Sequence, residues 1–260
     1  MKRHQDWYAH PEYYEAIFGP DSAKEMDFLQ EVNRRYGNGG KSWLEPACGA
    51  GRLLEEGARR GLSLVGYDLS EPMLEHARAR LEPALRRRVK VHPGRMEDFA
   101  PAPLVGKIDL AFSLVSTFRY LDTHPAAVAH LGSVRKLLRD DGRFVLGFHL
   151  TDYTRDFIEH ERWVGKVNGR KVVCNTREWP PDSKLRRSRM RNRLRVTGKG
   201  DDFLIETDWH FRTYDTGQVL TLIKDGGFKL EALFDFDYLI DQPSQIGTDR
   251  LDWVMVLAPR

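Results

Sequence analysis

The stretch LEPACGAGRLL, from Leu44 to Leu54, decides the fold, because it places an acidic residue, a proline and two glycines between an apolar strand pattern and an apolar helix pattern. Gly49 and Gly51 let the backbone come close to a ligand, and the helix start offers unpaired N–H groups and a partial positive charge. Dinucleotide-binding folds usually have a third glycine where this chain has Leu54, and a carboxylate at Glu45 would repel a pyrophosphate. The stretch therefore predicts a partly cationic ligand, with an ammonium or sulfonium group.

A second carboxylate follows at the end of the next strand pattern, in LVGYDLSEPML, residues 64–74. Asp68 can accept from both hydroxyls of a ribose, through charge-assisted hydrogen bonds of about 1.5–3 kcal/mol each. Ser70 is expected to cap the following helix, and Met73 is expected to lie under an adenine. The predicted ligand thus has a ribose, an adenine and a cationic end.

Short apolar runs alternate with helical spacings along the first part of the chain. The runs lie at 42–46, 63–68, 89–92, 108–115 and 143–149. Helical spacing is found at 73–81 and 128–138, and a further helix is predicted from Asp21 or Ser22 to Gly37, with Ser22 and Glu25 as a capping box. This alternation indicates a parallel sheet that is covered on both faces.

The pattern changes after His149. Residues 163–175 form two β-type runs about an Asn-Gly turn, and residues 184–214 form two more about a Gly-Lys-Gly loop. We therefore expect an antiparallel insertion over 161–214. A helix at 216–225 and strands near 229–237 and 251–257 then return the chain to the main sheet.

Composition narrows the class of protein. The chain has 260 residues, 41 of them basic and 38 acidic, with a formal charge of +3, and the two signs are interleaved. Nothing in this balance demands a nucleic-acid partner, and no run approaches the roughly 18 apolar residues of a membrane span. Cys48 and Cys174 lack neighbours at metal-ligand spacing, so no metal site is expected. We expect a soluble, cytoplasmic protein.

Taken in order, the motifs resemble those of class I S-adenosylmethionine-dependent methyltransferases of the small-molecule type. LEPACGAG resembles their first motif and VGYDLSEPML their second, and GRMEDF, IDLAFSLVSTFRYL and DDGRFVLGFHL match the third to fifth strand ends. YYEAIFGPD, residues 13–21, resembles the segment that closes over the cofactor. The resemblance covers residues 43–150, and the ending at Phe228 matches as well.

The resemblance and the strand patterns together predict an α/β fold that is Rossmann-like and doubly wound. Its mostly parallel seven-stranded sheet carries an antiparallel β insertion after the fifth strand. Residues 1–150 and 215–260 are expected to form the cofactor-binding domain, with 1–40 as a helical lid. Residues 151–214 are expected to cover the substrate side.

The resemblance also implies which residues contact S-adenosylmethionine. They are Tyr14, Glu45, Ala47, Cys48, Gly49, Gly51, Asp68, Leu69, Met73, Met96, Glu97, Phe112 and Ser113. Many members have an aspartate where this chain has Arg95, so the adenine amino group is left to Glu97, Asp98 or the backbone. The Asn-Pro-Pro-Tyr signature of DNA and some protein methyltransferases is absent after the fourth strand.

Further residues are candidates for catalysis and acceptor binding. His149, at the end of the fifth strand, and Tyr14 are candidates for removing a proton, although a solvated histidine and a packed aromatic ring are the alternatives. Arg119, Tyr120, Trp209 and Phe211 are expected to line the acceptor site. Arg119 would favour a carboxylate- or phosphate-bearing acceptor.

Five arginines alternate along one predicted strand: Arg187, Arg189, Arg191, Arg193 and Arg195. Alternation places them on one face, where they form either an anion or RNA platform or cross-strand ion pairs with carboxylates such as Glu206 and Asp208. Pairing is the simpler account, and a mixture of both remains open.

The predicted function is methyl transfer from S-adenosylmethionine to nitrogen or oxygen of a small-molecule acceptor, with S-adenosylhomocysteine as the product. The protein is expected to be a monomer or homodimer, with no membrane and no nucleic-acid partner. Two alternatives remain: an RNA-modifying methyltransferase that uses the arginine-rich insertion, and a non-catalytic S-adenosylmethionine-binding protein.

Overall fold

The computed structural model describes residues 2–4, 6–19, 21–247 and 250–260. Met1, Gln5, Pro20, Thr248 and Asp249, which fall within the predicted domain ranges, lie outside the described residues.

A seven-stranded sheet forms the main body of the molecule. Its strands are β2 (Ser42–Pro46), β3 (Ser63–Asp68), β4 (Val89–Pro93), β5 (Ile108–Ser113), β6 (Leu138–His149), β11 (Phe228–Phe234) and β12 (Asp252–Pro259). Their order is β11-β12-β6-β5-β2-β3-β4, and all pairs are parallel except those of β12 with its two neighbours. The predicted Rossmann-like sheet is confirmed.

Helices cover both faces of this sheet. They are α2 (Ser22–Arg35), α3 (Arg52–Arg59), α4 (Glu71–Arg80), α5 (His124–Leu137) and α6 (Thr216–Asp225). One apolar cluster joins the sheet to α2, α3 and α4, and the other joins it to α5 and α6. Since β5 lies between the two clusters, all six of its residues are buried. Two apolar layers therefore cover the sheet, and the carboxyl ends of its parallel strands lie together at one edge.

A second sheet of five strands lies beside the first. Its strands are β1 (Lys2–His4), β7 (Glu159–Val167), β8 (Arg170–Glu178), β9 (Arg187–Gly198) and β10 (Phe203–Arg212), in the order β1-β10-β9-β8-β7. The four strands β7 to β10 are antiparallel, as expected, whereas β1 pairs with β10 in parallel. The sequence patterns missed β1, which brings the start of the chain to this sheet.

Helix α1 (Pro11–Phe18) packs against the second sheet. A side chain at Gly165 of β7 would run into the backbone of Ala16, so the contact requires a glycine there. Trp7 and Ile17 complete a small apolar cluster with β8, β9 and β10. The segment before α2 is thus fixed to the five-stranded sheet.

Two local expectations are corrected. The run at 108–115 ends as a strand at Ser113, and residues 116–120 form a 3₁₀ helix. Helix α2 starts at Ser22 without a capping box, because Glu25 pairs with Arg52 of α3 and Ser22 Oγ donates to the carbonyl of Gly19. Among the described residues, no helix is long and apolar enough to cross a membrane.

Candidate active site

The loop after β2 turns the chain from the sheet into α3 through left-handed backbone. Ala47, Gly49 and Gly51 have φ angles of 50°, 52° and 73°. A Cβ on Gly49 would meet no described atom within 4 Å, whereas a Cβ on Gly51 would lie 2.8 Å from the Cβ of Ala77. Gly49 thus leaves the backbone open to a ligand, and Gly51 allows α3 to pack against α4. A side chain at Gly51 would therefore meet Ala77 before any ligand space, and the contact of Gly51 with the cofactor stays a prediction.

The backbone holds the carboxylate of Asp68 at the end of β3. Its Oδ2 accepts from the Gly49 N–H and its Oδ1 from the Ser70 N–H, each at 2.8 Å. Burial raises the pKa of this carboxyl, and the backbone hydrogen bonds oppose that rise. Ser70 is the N-cap of α4 but its side chain makes no capping bond, contrary to the expectation. Both Asp68 oxygens are held in place and keep a further lone pair each.

A buried carboxylate stands at the end of β2. Glu45 is 8% exposed, and among the described residues its Oε2 has no hydrogen-bond partner. Burial raises the pKa of Glu45 well above its usual value, and the charge of Arg52 opposes the rise. Because Arg52 pairs with Glu25, at 3.0 Å between Nη2 and Oε1, its charge is already shared. An unpartnered buried carboxylate fits a ligand with a cationic group.

Two cavities of about 440 and 70 Å³ lie at this edge of the sheet and share Tyr14, Ala47, Gly49 and Thr117. Most of the predicted cofactor residues border one or the other: Tyr14, Glu45, Ala47, Cys48, Gly49, Asp68, Leu69, Met96, Glu97 and Ser113. Met73 and Phe112 are instead fully buried in the core. Phe112 sits edge-on to Trp43, with 6.1 Å between ring centroids, because β5 is covered on both faces.

Helix α5 supports the loop after β4. His130 Nδ1 lies 3.0 Å from the carbonyl oxygen of Met96, and Ser133 Oγ donates to the carbonyl of Glu97 at 2.9 Å. Burial lowers the pKa of His130 to about 4, so the imidazole is neutral and donates from Nδ1. The side chain of Glu97 pairs with Arg95 at 2.9 Å. Two buried bonds thus fix the backbone that borders the larger cavity.

Four aromatic rings form one side of the larger cavity; we call Tyr8, Tyr14, Tyr120 and Trp209 the aromatic wall. The ring centroids of Tyr8 and Trp209 are 5.5 Å apart and those of Tyr120 and Trp209 are 5.6 Å apart. The hydroxyls of Tyr8 and Tyr120 lie 2.9 Å from each other. Burial raises the pKa of Tyr14 to about 12, which favours a hydrogen-bond donor over a proton acceptor.

Asp6 stands at the rim of the same cavity. Its Oδ1 accepts from the Tyr8 N–H at 2.9 Å, and partial burial raises its pKa. Its charge also contributes to the raised pKa values of Asp68 and Tyr120. Sequence reasoning missed Asp6 and Tyr8; their only signal was an aspartate ahead of two aromatic residues and Pro11, which is typical of a capped turn.

The comparisons with known proteins agree with this geometry. Residues 44–142 match the family model described as a methyltransferase domain. This segment is a methyltransferase domain. The resemblance to class I S-adenosylmethionine-dependent methyltransferases is therefore confirmed on the residues that carried it.

Curated relatives match part of the chain. The dTDP-3-amino-3,4,6-trideoxy-alpha-D-glucopyranose N,N-dimethyltransferase of Streptomyces venezuelae is 31% identical over 140 residues, which are 53% of this chain and 56% of the relative. The magnesium-protoporphyrin O-methyltransferase of Rhodobacter capsulatus is 35% identical over 77 residues, 30% of this chain and 33% of the relative. The chain thus spans about a third to a half of the length of these relatives.

Solved structures share the fold over nearly the whole chain. DesVI of Streptomyces venezuelae has a TM-score of 0.76 at 22% identity, covering 99% of this chain and 100% of its own. CalS10, an amino pentose methyltransferase from Micromonospora echinaspora solved with S-adenosylmethionine bound, has a TM-score of 0.69 at 18% identity, with the same coverage. At these identities the likeness concerns the fold alone.

The predicted acceptor residues fall into two groups, one at the larger cavity and one buried inside the protein. Tyr120 and Trp209 border the cavity, whereas Phe211 is 7% and Arg119 6% exposed. The Arg119 guanidinium lies 3.3 Å from Glu178 and donates to Ser188 Oγ at 3.2 Å. Since its charge is neutralised inside the protein, the reason for expecting an acidic acceptor is removed.

His149 lies beside the methyltransferase domain's cavities without bordering either. Its Nδ1 is 2.6 Å from Asp252 Oδ1, and its ring is 4.7 Å from that of Phe236. Its side chain is 39% exposed. This position favours the alternative of a histidine at a strand end that is open to solvent.

Helix α1 is tied across the glycine loop of the methyltransferase domain. Glu15, next to Tyr14, lies 2.8 Å from Nε2 of His76 and also pairs with Arg80 of α4. Arg80 donates to the carbonyl of Ala50 at 3.0 Å. One guanidinium thus contacts both α1 and the loop, which fixes Tyr14 over the smaller cavity.

Binding of a cationic ligand is expected to release a proton from Glu45. The pKa of this carboxyl is raised in the free protein, so part of the population is protonated between the usual value of 4.5 and the raised one. A cation beside it lowers the pKa, so protons leave and affinity rises with pH across this window. Calorimetry of S-adenosylmethionine in buffers of different ionisation enthalpy measures the release.

The matched variants are Glu45→Gln and Glu56→Gln. The second changes a half-buried carboxylate of α3 that pairs with Arg60, the residue directly after the helix. Glu45→Gln should lose most of the proton release, with the remainder coming from Asp68, whose pKa is also raised. Equal release in the wild type and in Glu45→Gln would show that the carboxylate does not face the ligand's cation.

Proposed function

We propose that the protein is an S-adenosylmethionine-dependent methyltransferase that methylates a small molecule at nitrogen or oxygen, and we favour an amine acceptor. The observation that carries the proposal is the pair of carboxylates at two adjoining cavities, with Asp68 at the larger and Glu45 at the smaller. Asp68 is held by two backbone N–H groups, and Glu45 is buried without a partner among the described residues. A ribose and a cationic amino-acid end are the two ligand parts that such a pair suits.

The cofactor residues are assigned by their places around the cavities. Asp68 is proposed to hold the ribose, and Leu69, Met96 and Glu97 to surround the adenine. Glu45 and Tyr14 are proposed to contact the methionine end, in the smaller cavity that they both border. The orphaned Oε2 of Glu45 and the open space at Gly49 support the fit.

The charges at the acceptor end favour an amine. Among the described residues, Asp6, Asp68 and Glu97 border the larger cavity together with one arginine, Arg95, which already pairs with Glu97. An ammonium group would gain a charge partner in Asp6 and a cation–π contact with the aromatic wall, worth about 0.5–2 kcal/mol. The dTDP-amino-sugar relative is an N,N-dimethyltransferase, which agrees with this choice.

The chain's own residues then have distinct tasks. Bound S-adenosylmethionine supplies an electrophilic methyl group on a sulfonium, which an acceptor lone pair displaces. Asp6 accepts the proton that an ammonium acceptor must lose before its lone pair is available. Tyr14, as a phenol of pKa about 12, donates a hydrogen bond and keeps water away from the smaller cavity.

The domain assignment belongs to the same proposal. Residues 151–214 are proposed to cover the substrate side, supported by Trp209 of β10 at the cavity, and 1–40 to act as the lid, supported by Tyr8 and Tyr14. We also propose a cytoplasmic location, since both cysteines are free and buried. Reducing compartments such as the cytoplasm keep cysteine thiols in this unpaired form. A monomer or homodimer suits a cavity built from one chain.

A methyl-transfer assay tests the proposed function. Purified protein is incubated with S-adenosylmethionine and paired acceptors that differ only in an amine or a hydroxyl, and S-adenosylhomocysteine is measured. Turnover with the amine member is expected. Turnover of the hydroxyl member alone would assign oxygen methylation, and cofactor binding without turnover of any member would favour the non-catalytic alternative.

A further inference from the structure

The outer face of the five-stranded sheet is rich in arginine and is turned away from the cavity. On β10, Trp209 borders the cavity and the adjacent Asp208 lies on the opposite face. Asp208 is bonded by Arg191 of β9, so the arginines share its face. Asn192, between Arg191 and Arg193, points inward and is 3% exposed.

A groove of about 360 Å³ crosses this face. Its polar lining comes from three neighbouring strands, with His160, Arg162, Asn175, Arg177, Arg191 and Arg193. We call it the arginine groove. Glu161 and Thr176 also border it, from strand positions that alternate with the outward-facing ones.

The register packs like charges together in the arginine groove. Arg177 of β8 lies directly opposite Arg191 of β9, and His160 of β7 lies opposite Arg177. Like charges that face each other across two strands destabilise a sheet. Asp208 offsets the charge of Arg191, and an anion that also contacts Arg177 would relieve the remaining repulsion.

Cross-strand pairing neutralises only part of this charge. Asp208 binds Arg189 at 2.8 Å and Arg191 at 3.1 Å, and Glu206 binds Arg193 at 2.6 Å, as the pairing account of the stripe expects. Within the described part of the chain, neither Arg162 nor Arg177 has a carboxylate partner. The four guanidinium groups of the groove are thus matched by two carboxylates on the adjoining strand, one of which Arg189 shares, and by Glu161 at the groove's border.

We propose that the arginine groove binds a small molecule carrying two or more phosphate groups, at a site separate from the methyl-transfer cavity. Guanidinium forks match phosphate oxygens in bidentate geometry, and the groove's volume is that of a small-ligand site. RNA is disfavoured because the described lining has no Phe, Tyr or Trp on which bases would stack. A second copy of this face would bring arginine against arginine.

Titration of the intact protein with inorganic pyrophosphate tests the site. Arg162→Gln/Arg177→Gln should weaken binding at least about tenfold, because it removes the two guanidinium groups that no carboxylate neutralises. The control Arg86→Gln/Arg87→Gln removes the same charge from the exposed loop before β4 and should bind pyrophosphate as the wild type does. Both variants should keep the wild-type affinity for S-adenosylmethionine, which separates this site from the proposed enzyme function.

The comparison has clear contrary outcomes. Equal pyrophosphate affinity of the groove variant and the wild type would overturn the proposal, as would an equal loss in the control, which would indicate a diffuse charge effect. Vesicles of phosphatidylcholine with a phosphoinositide form a second arm. Binding to them, or to structured RNA, without binding of pyrophosphate would overturn the small-molecule assignment. If the double variant does not fold, Arg162→Gln alone is compared with Arg87→Gln.

Discussion

Asp68→Ala is expected to weaken S-adenosylmethionine binding by about 2–4 kcal/mol, roughly 30- to 900-fold, because two charge-assisted bonds to a ribose are lost. The carboxylate is set for this role before any ligand arrives. One oxygen accepts from Gly49 and the other from Ser70, each at 2.8 Å, so neither bond has to form on binding. Because the Asp68 side chain is already ordered in the free protein, binding has no further entropy cost there. Asp68→Ala should therefore lose nearly the full free energy of the two hydrogen bonds to the ribose.

Calorimetry of the cofactor against wild type, Asp68→Ala and Asp140→Ala measures this effect. Asp140 is a suitable control because its side chain is 98% exposed and pairs with Arg135, far from the carboxyl ends of the strands. Thermal unfolding establishes that each variant is folded, since Asp68 also bonds the glycine loop. A folded Asp68→Ala protein that binds the cofactor with unchanged affinity would remove Asp68 from the site.

The cofactor side could be predicted from the sequence because parallel strands end at the same edge. Glu45 and Asp68 each follow a buried run, and their strands pair directly, so their carboxylates had to meet at one place. The glycine between them marked the loop that opens there. These arguments depend on neighbouring strands alone, and such local order is what sequence patterns describe.

Positions buried from both sides were harder to predict. All six residues of β5 are buried, so its sequence shows no alternation of apolar and polar residues. The sequence therefore could not show that Ser113 borders the smaller cavity while Phe112 packs in the core. Gly51 resembled Gly49 in sequence, yet its missing side chain makes room for Ala77 of another helix. Contacts between distant elements decide both cases, and a single strand or loop does not encode them.

The acceptor side depended most on long-range contacts. Asp6 and Tyr8 reach the cavity in a segment whose preceding strand, β1, pairs with β10, some 200 residues later in the sequence. Arg119 had the position expected of an acceptor residue, but Glu178 and Ser188 of the second sheet hold it inside the protein. The sequence shows which residues are charged. Contacts between residues far apart in the chain decide which of these charges face the ligand.

Asp6→Asn is expected to lower kcat/KM for an amine acceptor by about 10²–10³-fold, because the charge that accepts the ammonium proton is removed. Asparagine is the informative replacement here. Asp6 also caps the turn at Trp7–Ala9 by accepting from the Tyr8 N–H at 2.9 Å, and an asparagine oxygen can accept the same bond. The substitution therefore removes the charge and keeps the local fold, so cofactor affinity should change little.

The pH dependence distinguishes this role from simple positioning. Below the pKa of the free amine the acceptor arrives as an ammonium ion and needs Asp6, whereas above it the acceptor arrives neutral. The defect of Asp6→Asn should therefore shrink as pH rises towards the amine pKa, and a positioning role would give the same defect at every pH. Asp21→Asn, at the start of α2, provides the control, since its side chain makes no capping bond. If Asp6→Asn turns over the amine at the wild-type rate across the whole profile, another group must take the proton, and Asp6 is then only the cap of its turn.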